Sequence, residues 1–309
     1  MFLAAIAALS TATACKGSGG TPGGGSSQGS TLSAQAETPL TIARVTVRDL
    51  TEEAARADFI LPDLADVLAK GLPPGSLLRL PDAQDTGSTA HAGGSTLHVA
   101  VLYGLVSADG RTLQNPEEGA RVTAGVQLHL ALITSGEPAA VLQAERIGEE
   151  TIGATGQAAL HRATTALLHR LAVSALSALD QRVTIRQGGE ASALAGLEAR
   201  DPAVQAYAIE QVGERGYTNA TPRLLTLLDG EDGELRLRAI GALGLLKAAS
   251  ATARLADLAG GSEHPREIAA AIHALADIGS PEARRYLKSV RDTSLFDDVK
   301  RLVDEALAR

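Results

Sequence analysis

From residue 39 onward the apolar positions first recur every second residue, and from about residue 157 every third or fourth. In LTIARVTVRD, Ala43, Val45 and Val47 alternate with Arg44, Thr46 and Arg48, the pattern of a half-buried strand. Thr51 followed by Glu52, Glu53 and Ala54 predicts a helix start, with acids in the first turn where they meet the positive end of the helix dipole. Pro62 interrupts that helix, which restarts as PDLADVLAK and ends at the turn-rich Pro73, Pro74 and Gly75. LLRL is then a short strand, and residues 82–94, with Asp85, Gly87, Gly93 and Gly94, are an exposed loop. STLHVAVLYGLVS puts Leu97, Val99, Val101, Tyr103 and Leu105 in one phase. RVTAGVQLHLALITS does the same with Val122, Ala124, Val126, Leu128, Leu130 and Leu132, and SGEP turns the chain back into AVLQAERIG. Gln157 to Leu179 predicts a long amphipathic helix with Leu160, Ala163, Leu167, Leu168, Leu171 and Leu176 as its stripe. The order over residues 39–187 is that of an α+β domain, an antiparallel sheet with helices on one face.

Residues 188–309 repeat themselves. AYAIEQVGERG (206–216), RAIGALGLLKA (238–248) and AAIHALADIGS (270–280) superpose, with Ile209, Ile240 and Ile272 separated by 31 and 32 residues. Val212, Leu243 and Leu275 keep that interval, as do the small residues Gly213, Gly244 and Ala276. A turn precedes each stretch (EARDP, DGEDG, GSEHP), and a second short helix follows (TPRLLTLLD, ATARLADLA, PEARRYLKSV). A fixed period in this range signals a solenoid of helix pairs, each sheltering the apolar side of the next. The small residue lets two helix backbones approach, and the Ile with its Leu or Val fills the space between them. SALAGLEAR is a leading helix. SLFDDVKRLVDEALAR is a last first-helix, in which Asp304 takes the Ile place as a polar end facing water.

Asp201, Pro202, Val204, Ala208, Ile209, Val212 and Gly213 fit the pattern D-P-x-V-x-x-x-A-I-x-x-L-G, and by it the last 110 or so residues resemble short bacterial HEAT repeats. That resemblance implies an all-α HEAT-like helical solenoid that binds other proteins, with the second helices lining a shallow groove. On those helices Arg223, Arg254 and Arg285 fall in nearly one column, and Arg284 and Lys288 add charge beside it. Two readings stand: a basic ridge that meets an acidic peptide or an anionic headgroup, or a solvated helix face. Residues 39–187 also resemble the small strand-and-helix domains of periplasmic lipoproteins in transport or secretion assemblies.

Ahead of both units, Phe2–Leu9 is a short apolar run, far below the roughly 20 residues that span a bilayer. It is followed by Ser10, Thr11, Ala12, Thr13 and Ala14, then by Cys15, the one cysteine of 309 residues. Small residues closing a short apolar segment are the form of an export signal. With cysteine next, the segment resembles the lipobox of bacterial lipoproteins. By that resemblance residues 1–14 are a signal peptide and Cys15 is the lipid attachment site. The match departs from the family at Ala12, where Leu is favoured, and in having no Lys or Arg before the apolar run. Several acyl chains on one cysteine hold firmly, since each buried CH₂ contributes about 0.8 kcal/mol. Residues 15–38 are then a lipid-anchored Gly/Ser-rich linker with an end-to-end distance of roughly 25 Å. In the family's sorting rule Lys16, not being Asp, directs the protein to the outer membrane, facing the periplasm.

Composition narrows the function. A net charge of −8 argues against a nucleic-acid partner, and aromatics at 2% leave little to stack bases. GSSQG (25–29) spells a nucleophile elbow but lacks the strand and helix that elbow needs. Histidines 91, 98, 129, 161, 169, 264 and 273 are scattered, and no Walker loop, HExxH or CxxC occurs. His161 and His169, eight apart, could share a helix face. His98 and His129 fall on the polar phase of their strands. Glu263–His264 is a single reversed form of the His-Glu pairs of HEAT-like hydroxylases. The expectation is therefore an envelope lipoprotein acting as a protein–protein interaction scaffold, without catalysis, metal or cofactor. The alternative is a HEAT-like enzyme of lyase type with a small-molecule ligand.

Overall fold

The computed structural model describes residues 39–51, 59–81, 94–113, 115, 117, 119–134, 137–153 and 156–308. Cys15, the signal and linker, the helix start at Glu52 and the loop 82–93 lie outside the described residues.

The first unit is a six-stranded sheet: β1 (Leu40–Asp49), β2 (Leu78–Arg79), β3 (Ser95–Val106), β4 (Thr112–Leu113), β5 (Arg121–Thr134) and β6 (Glu137–Thr151). The order is β2-β1-β3-β5-β6, with β4 paired to β3. β3, β5 and β6 form the expected antiparallel meander, while β1 joins it parallel to both β2 and β3. Leu97, Val99, Val101, Tyr103 and Leu105 of β3, and Val122 to Leu130 in alternation on β5, are buried as their phase predicts. β1 departs from its predicted phase at its start. Val45 and Val47 pair with the buried Leu97 and Val99 as expected, but the register shifts between Ile42 and Arg44, and Ile42 is fully buried. A bulge inserts one residue and swaps the faces on either side of it, which simple alternation cannot show.

One face of the sheet is covered by α1 (Leu64–Gly71) and α2 (Gln157–Gln187). Asp63 caps α1 by accepting from the backbone N–H groups of Ala65 and Asp66, and Leu64 and Leu68 are the face it buries. α2 extends eight residues past the predicted end. Its first turns put Leu167, Leu168, Leu171 and Leu176 on the sheet, and its last turns bury Val183 and Ile185 beside the helices that follow.

Those helices are α3 (Gly189–Gly196), α4 (Pro202–Arg215), α5 (Thr221–Leu227), α6 (Gly233–Leu245), α7 (Thr252–Gly261), α8 (Pro265–Ile278), α9 (Pro281–Thr293) and α10 (Asp297–Leu307). α4, α6 and α8 form one layer, and α5, α7 and α9 return beside them. Ile209, Ile240, Ile272, Val212, Leu243 and Leu275 are all fully buried. A Cβ on Gly213 would stand 3.2 Å from the Ala242 Cα, and one on Gly244 would stand 2.9 Å from the Ala274 Cα. The glycines thus allow consecutive first helices to touch backbone to backbone. Asp201 and Asp232, 31 residues apart, each cap the first helix that follows them, accepting from Ala203 N–H and from Glu234 and Leu235 N–H. In α10 the Ile place belongs to Val303, fully buried, rather than to Asp304, which is exposed and paired with Arg291 at 3.1 Å. The two preceding intervals, 31 and 32, leave that choice open by one residue, and packing decides it. Among the described residues no helix is long and apolar enough to cross a membrane.

Candidate interaction surface

The second helices bury one stripe each against the first-helix layer: Leu224 and Leu227 on α5, Leu255 and Ala256 on α7, Ala283, Leu287 and Val290 on α9. Outside that stripe stand Arg223, Arg254 and Arg285, at successive intervals of 31 residues. The structure gives them different surroundings. Arg223 Nε pairs with Glu198 Oε1 at 2.8 Å, and Arg254 pairs with Asp229. The two acids are themselves 31 residues apart, each in the turn that ends the preceding helix, so in these two cases a carboxylate from one hairpin reaches the arginine of the next. The Arg285 side chain makes no ion pair or hydrogen bond among the described residues, and neither do those of the exposed Arg284 and Lys288. Lys288 lies four residues from Arg284 and three from Arg285, which brings it beside both on α9. Nearby, Arg291 is held by Asp304, and the acids of α9 itself are Glu282 and Asp292.

On the first unit, the sheet face away from α2 carries a cross-strand row of Thr46, His98, His129 and Gln143. Thr46 Oγ1 lies 2.7 Å from His98 Nδ1. Partial burial, and then the neighbouring His98, hold the His129 imidazole below its ordinary pKa, against the pull of Glu145. His161 instead packs its ring on Phe59, centroids 5.4 Å apart, so it does not act together with His169. His169 lines an open cleft of about 840 Å³ between α1, α2 and the start of α4. The charged groups of that cleft are each in an ion pair: Lys70 with Asp66 at 2.7 Å and Arg146 with Asp201 within it, and Arg170 with Glu150 outside it at 2.8 Å. Among the described residues no three His, Cys, Asp or Glu side chains are grouped to hold a metal ion.

The sequence located the arginine column but not its acids. The signal was available: carrying the 31-residue interval over to polar positions aligns Glu198 with Asp229, as it aligns Asp201 with Asp232.

Residues 190–266 and 221–308 match the family of HEAT repeats, and this part of the chain is a HEAT repeat domain. None of the curated proteins matches the chain. Among solved structures, the crystal structure of the rare lipoprotein B from Shewanella oneidensis is similar over 45% of this chain and 91% of its own, at 11% identity and a TM-score of 0.26. A likeness that slight carries no argument about fold or function.

Proposed function

We propose that the chain is a lipid-anchored protein of the bacterial cell envelope that works as a scaffold for protein–protein interaction. HEAT repeats are generally interaction modules, and the observation that carries the reading is how this array is built. Its apolar stripes are spent on neighbouring hairpins, while the outer sides of α5, α7 and α9 stay uncovered and charged. The lipobox-like segment ending in Cys15, and the Gly/Ser-rich stretch after it, support an anchor with slack. Lys16 favours the outer membrane, facing the periplasm. The lyase-type alternative requires polar groups free to converge on a substrate in a deep pocket. In the open cleft beside α2 the carboxylates and cations are each already in an ion pair.

Two measurements test this. Metabolic labelling with palmitate in a bacterial host should mark the wild-type chain and leave Cys15→Ser unmarked; equal labelling of both removes the anchor. A photo-crosslinking residue placed at Arg254 or Lys288 should give a discrete protein adduct in cells, whereas the same residue at Thr41 on β1 should not. No adduct from either second helix removes the scaffold.

A further inference from the structure

We propose that the turn before α10 and the groove beside it are a docking site for a second copy of this chain, each copy placing Leu295 and Phe296 against the groove of the other. The contact uses none of the second-helix arginines and stands apart from the scaffold reading above.

The N-caps of the first helices set the contrast. Asp201 and Asp232 cap α4 and α6 with their carboxylates, and the N-cap of α8 is His264, polar and exposed. The N-cap of α10 is Phe296, which supplies no side-chain cap although its backbone (φ −102°, ψ 121°) is close to that of Asp201 (φ −85°, ψ 114°). A ring at that place forgoes the stabilisation that Asp or Ser would add. The ring is not buried in exchange: Phe296 is 69% exposed, and Leu295 beside it is 91% exposed. Phe59, by contrast, packs on Tyr103 and His161. The turn is braced, since Ser294 Oγ accepts from the Phe296 N–H at 3.2 Å and the Ser294 N–H donates to the Val290 carbonyl at 2.9 Å. An apolar pair is thus presented to water on a fixed turn, at a position where helix chemistry favours a polar residue.

A groove of about 500 Å³ opens beside the turn, between α8 and α10, walled by Pro265, Ile268, Ala269, Val299 and Leu302 and by Phe296 itself. Protruding apolar side chains and an apolar recess of matching chemistry therefore share one patch. That is what a two-fold contact requires, because the same surface then stands on both sides. Across the axis Leu295 of each copy enters the recess of the other, and the two Phe296 rings meet in offset stacking. Charge selects a second copy over other occupants. The chain as a whole carries −8, so two copies repel at long range. The exposed charges framing the groove cancel: Glu263, Asp297 and Asp298 against Arg266, Lys300 and Arg301, with Asp297–Lys300 at 3.3 Å and Asp298–Arg301 at 2.9 Å. A neutral patch meets its own copy without repulsion. An anionic membrane surface suits it badly, because Asp297 and Asp298 follow Phe296 directly and would be carried to the headgroups with it. One turn and one groove from each copy make a small interface, at the end below about 1,200 Å² where contacts are weak and reversible, so pairing depends on concentration.

The test uses the full chain with Cys15→Ser, run without detergent so that none fills the groove. Sedimentation velocity over about 1–100 μM should show one copy giving way to two. Phe296→Asp should abolish the pairing. At the dilute end, where the chain is single, the same change should raise the thermal midpoint by about 2–4 °C, because it restores the cap that Asp201 and Asp232 make. Leu295→Ala alters both copies at once and should weaken pairing at least about tenfold. Ala269→Arg blocks the recess and should abolish pairing with the turn untouched. Ile60→Asp removes another apolar side chain that is 88% exposed, from the first unit, and should leave pairing unchanged. A photo-crosslinking residue at Leu295 should give an adduct of twice the chain mass, joined to the peptide that holds Ile268 and Ala269. Sedimentation as one copy throughout, pairing that survives Phe296→Asp, or equal loss in Ile60→Asp would each overturn the proposal. So would flotation with phosphatidylglycerol vesicles, lost in Phe296→Asp, in place of pairing. Pairing without any adduct from Arg254 or Lys288 removes the scaffold and keeps this contact; those adducts without pairing do the reverse.

Discussion

Asp180 shows what a single residue contributes that no local pattern announces. It is buried in α2, where it accepts from Ser76 Oγ at 2.6 Å and from the Leu77 backbone N–H at 3.2 Å. That carboxylate fastens the segment leading into β2 to a helix more than a hundred residues later. Asp180→Ala leaves the Leu77 N–H buried without an acceptor and Ser76 Oγ with only the Leu78 carbonyl at 3.5 Å, and should cost about 2 kcal/mol. A urea unfolding curve should show it as a lower midpoint at unchanged slope. Alternation made Val99 and Leu128 legible as core, since a strand's two faces follow directly from its backbone. Asp180 follows a predicted helix end at Leu179, and its partners belong to another part of the chain. Sequence periodicity is blind to such a contact, as it is to the bulge that turns Ile42 inward.

At the scale of elements, the helical hairpins were the most legible part of the molecule, because each repeats the constraints of the one before. Gly213 and Gly244 are glycine for a stated reason: a first helix leans its backbone on the next. With the Ala274 Cα only 2.9 Å from where a Cβ would stand, Gly244→Val must push α6 and α8 apart. The expected loss is about 3 kcal/mol, measured by thermal or urea unfolding, while Gly241→Ala on the exposed side of the same helix should be nearly silent. A polar bridge ties the same two helices. Arg236 donates to Glu267 at 2.8 Å, Ser262 donates to the other oxygen at 2.9 Å, and Glu267 is 4% exposed. Burial alone would raise the Glu267 pKa, but the hydrogen bonds from Arg236 and Ser262 outweigh it and hold the carboxyl below its ordinary range. Gln205, Arg236 and Glu267 share the 31-residue interval, yet they differ in chemistry. A reading keyed to apolar residues therefore passes over them.

At the scale of the whole molecule, α2 joins the two units. It lies on the sheet through Leu167 to Leu176 and meets the first hairpins through Val183 and Ile185. Arg182 reinforces the join: it donates to the Gln143 carbonyl of β6 and to the Ala203 carbonyl of α4 at 2.8 Å, and it lies over the Tyr207 ring at 5.6 Å. Sheet and repeats should therefore unfold together, and Arg182→Ala should let the repeats open at lower urea than the sheet. Hydrogen exchange followed by mass spectrometry along the denaturant series resolves the two; coincident opening in the variant would show that α2 alone couples them. The sequence showed both units and the helix between them, but not the side chain that locks them, because each of its carbonyl partners is supplied by a different element.

The two acid–arginine pairs also mean that a block can carry its own coupling to its successor, since Glu198 and Asp229 each tie down the arginine of the hairpin that follows. An array extended by another acid-ending block would reach further without becoming stickier. The length of the array and the charge it leaves free are thus set by separate residues, so one could be altered by duplication while the other waits on a single codon.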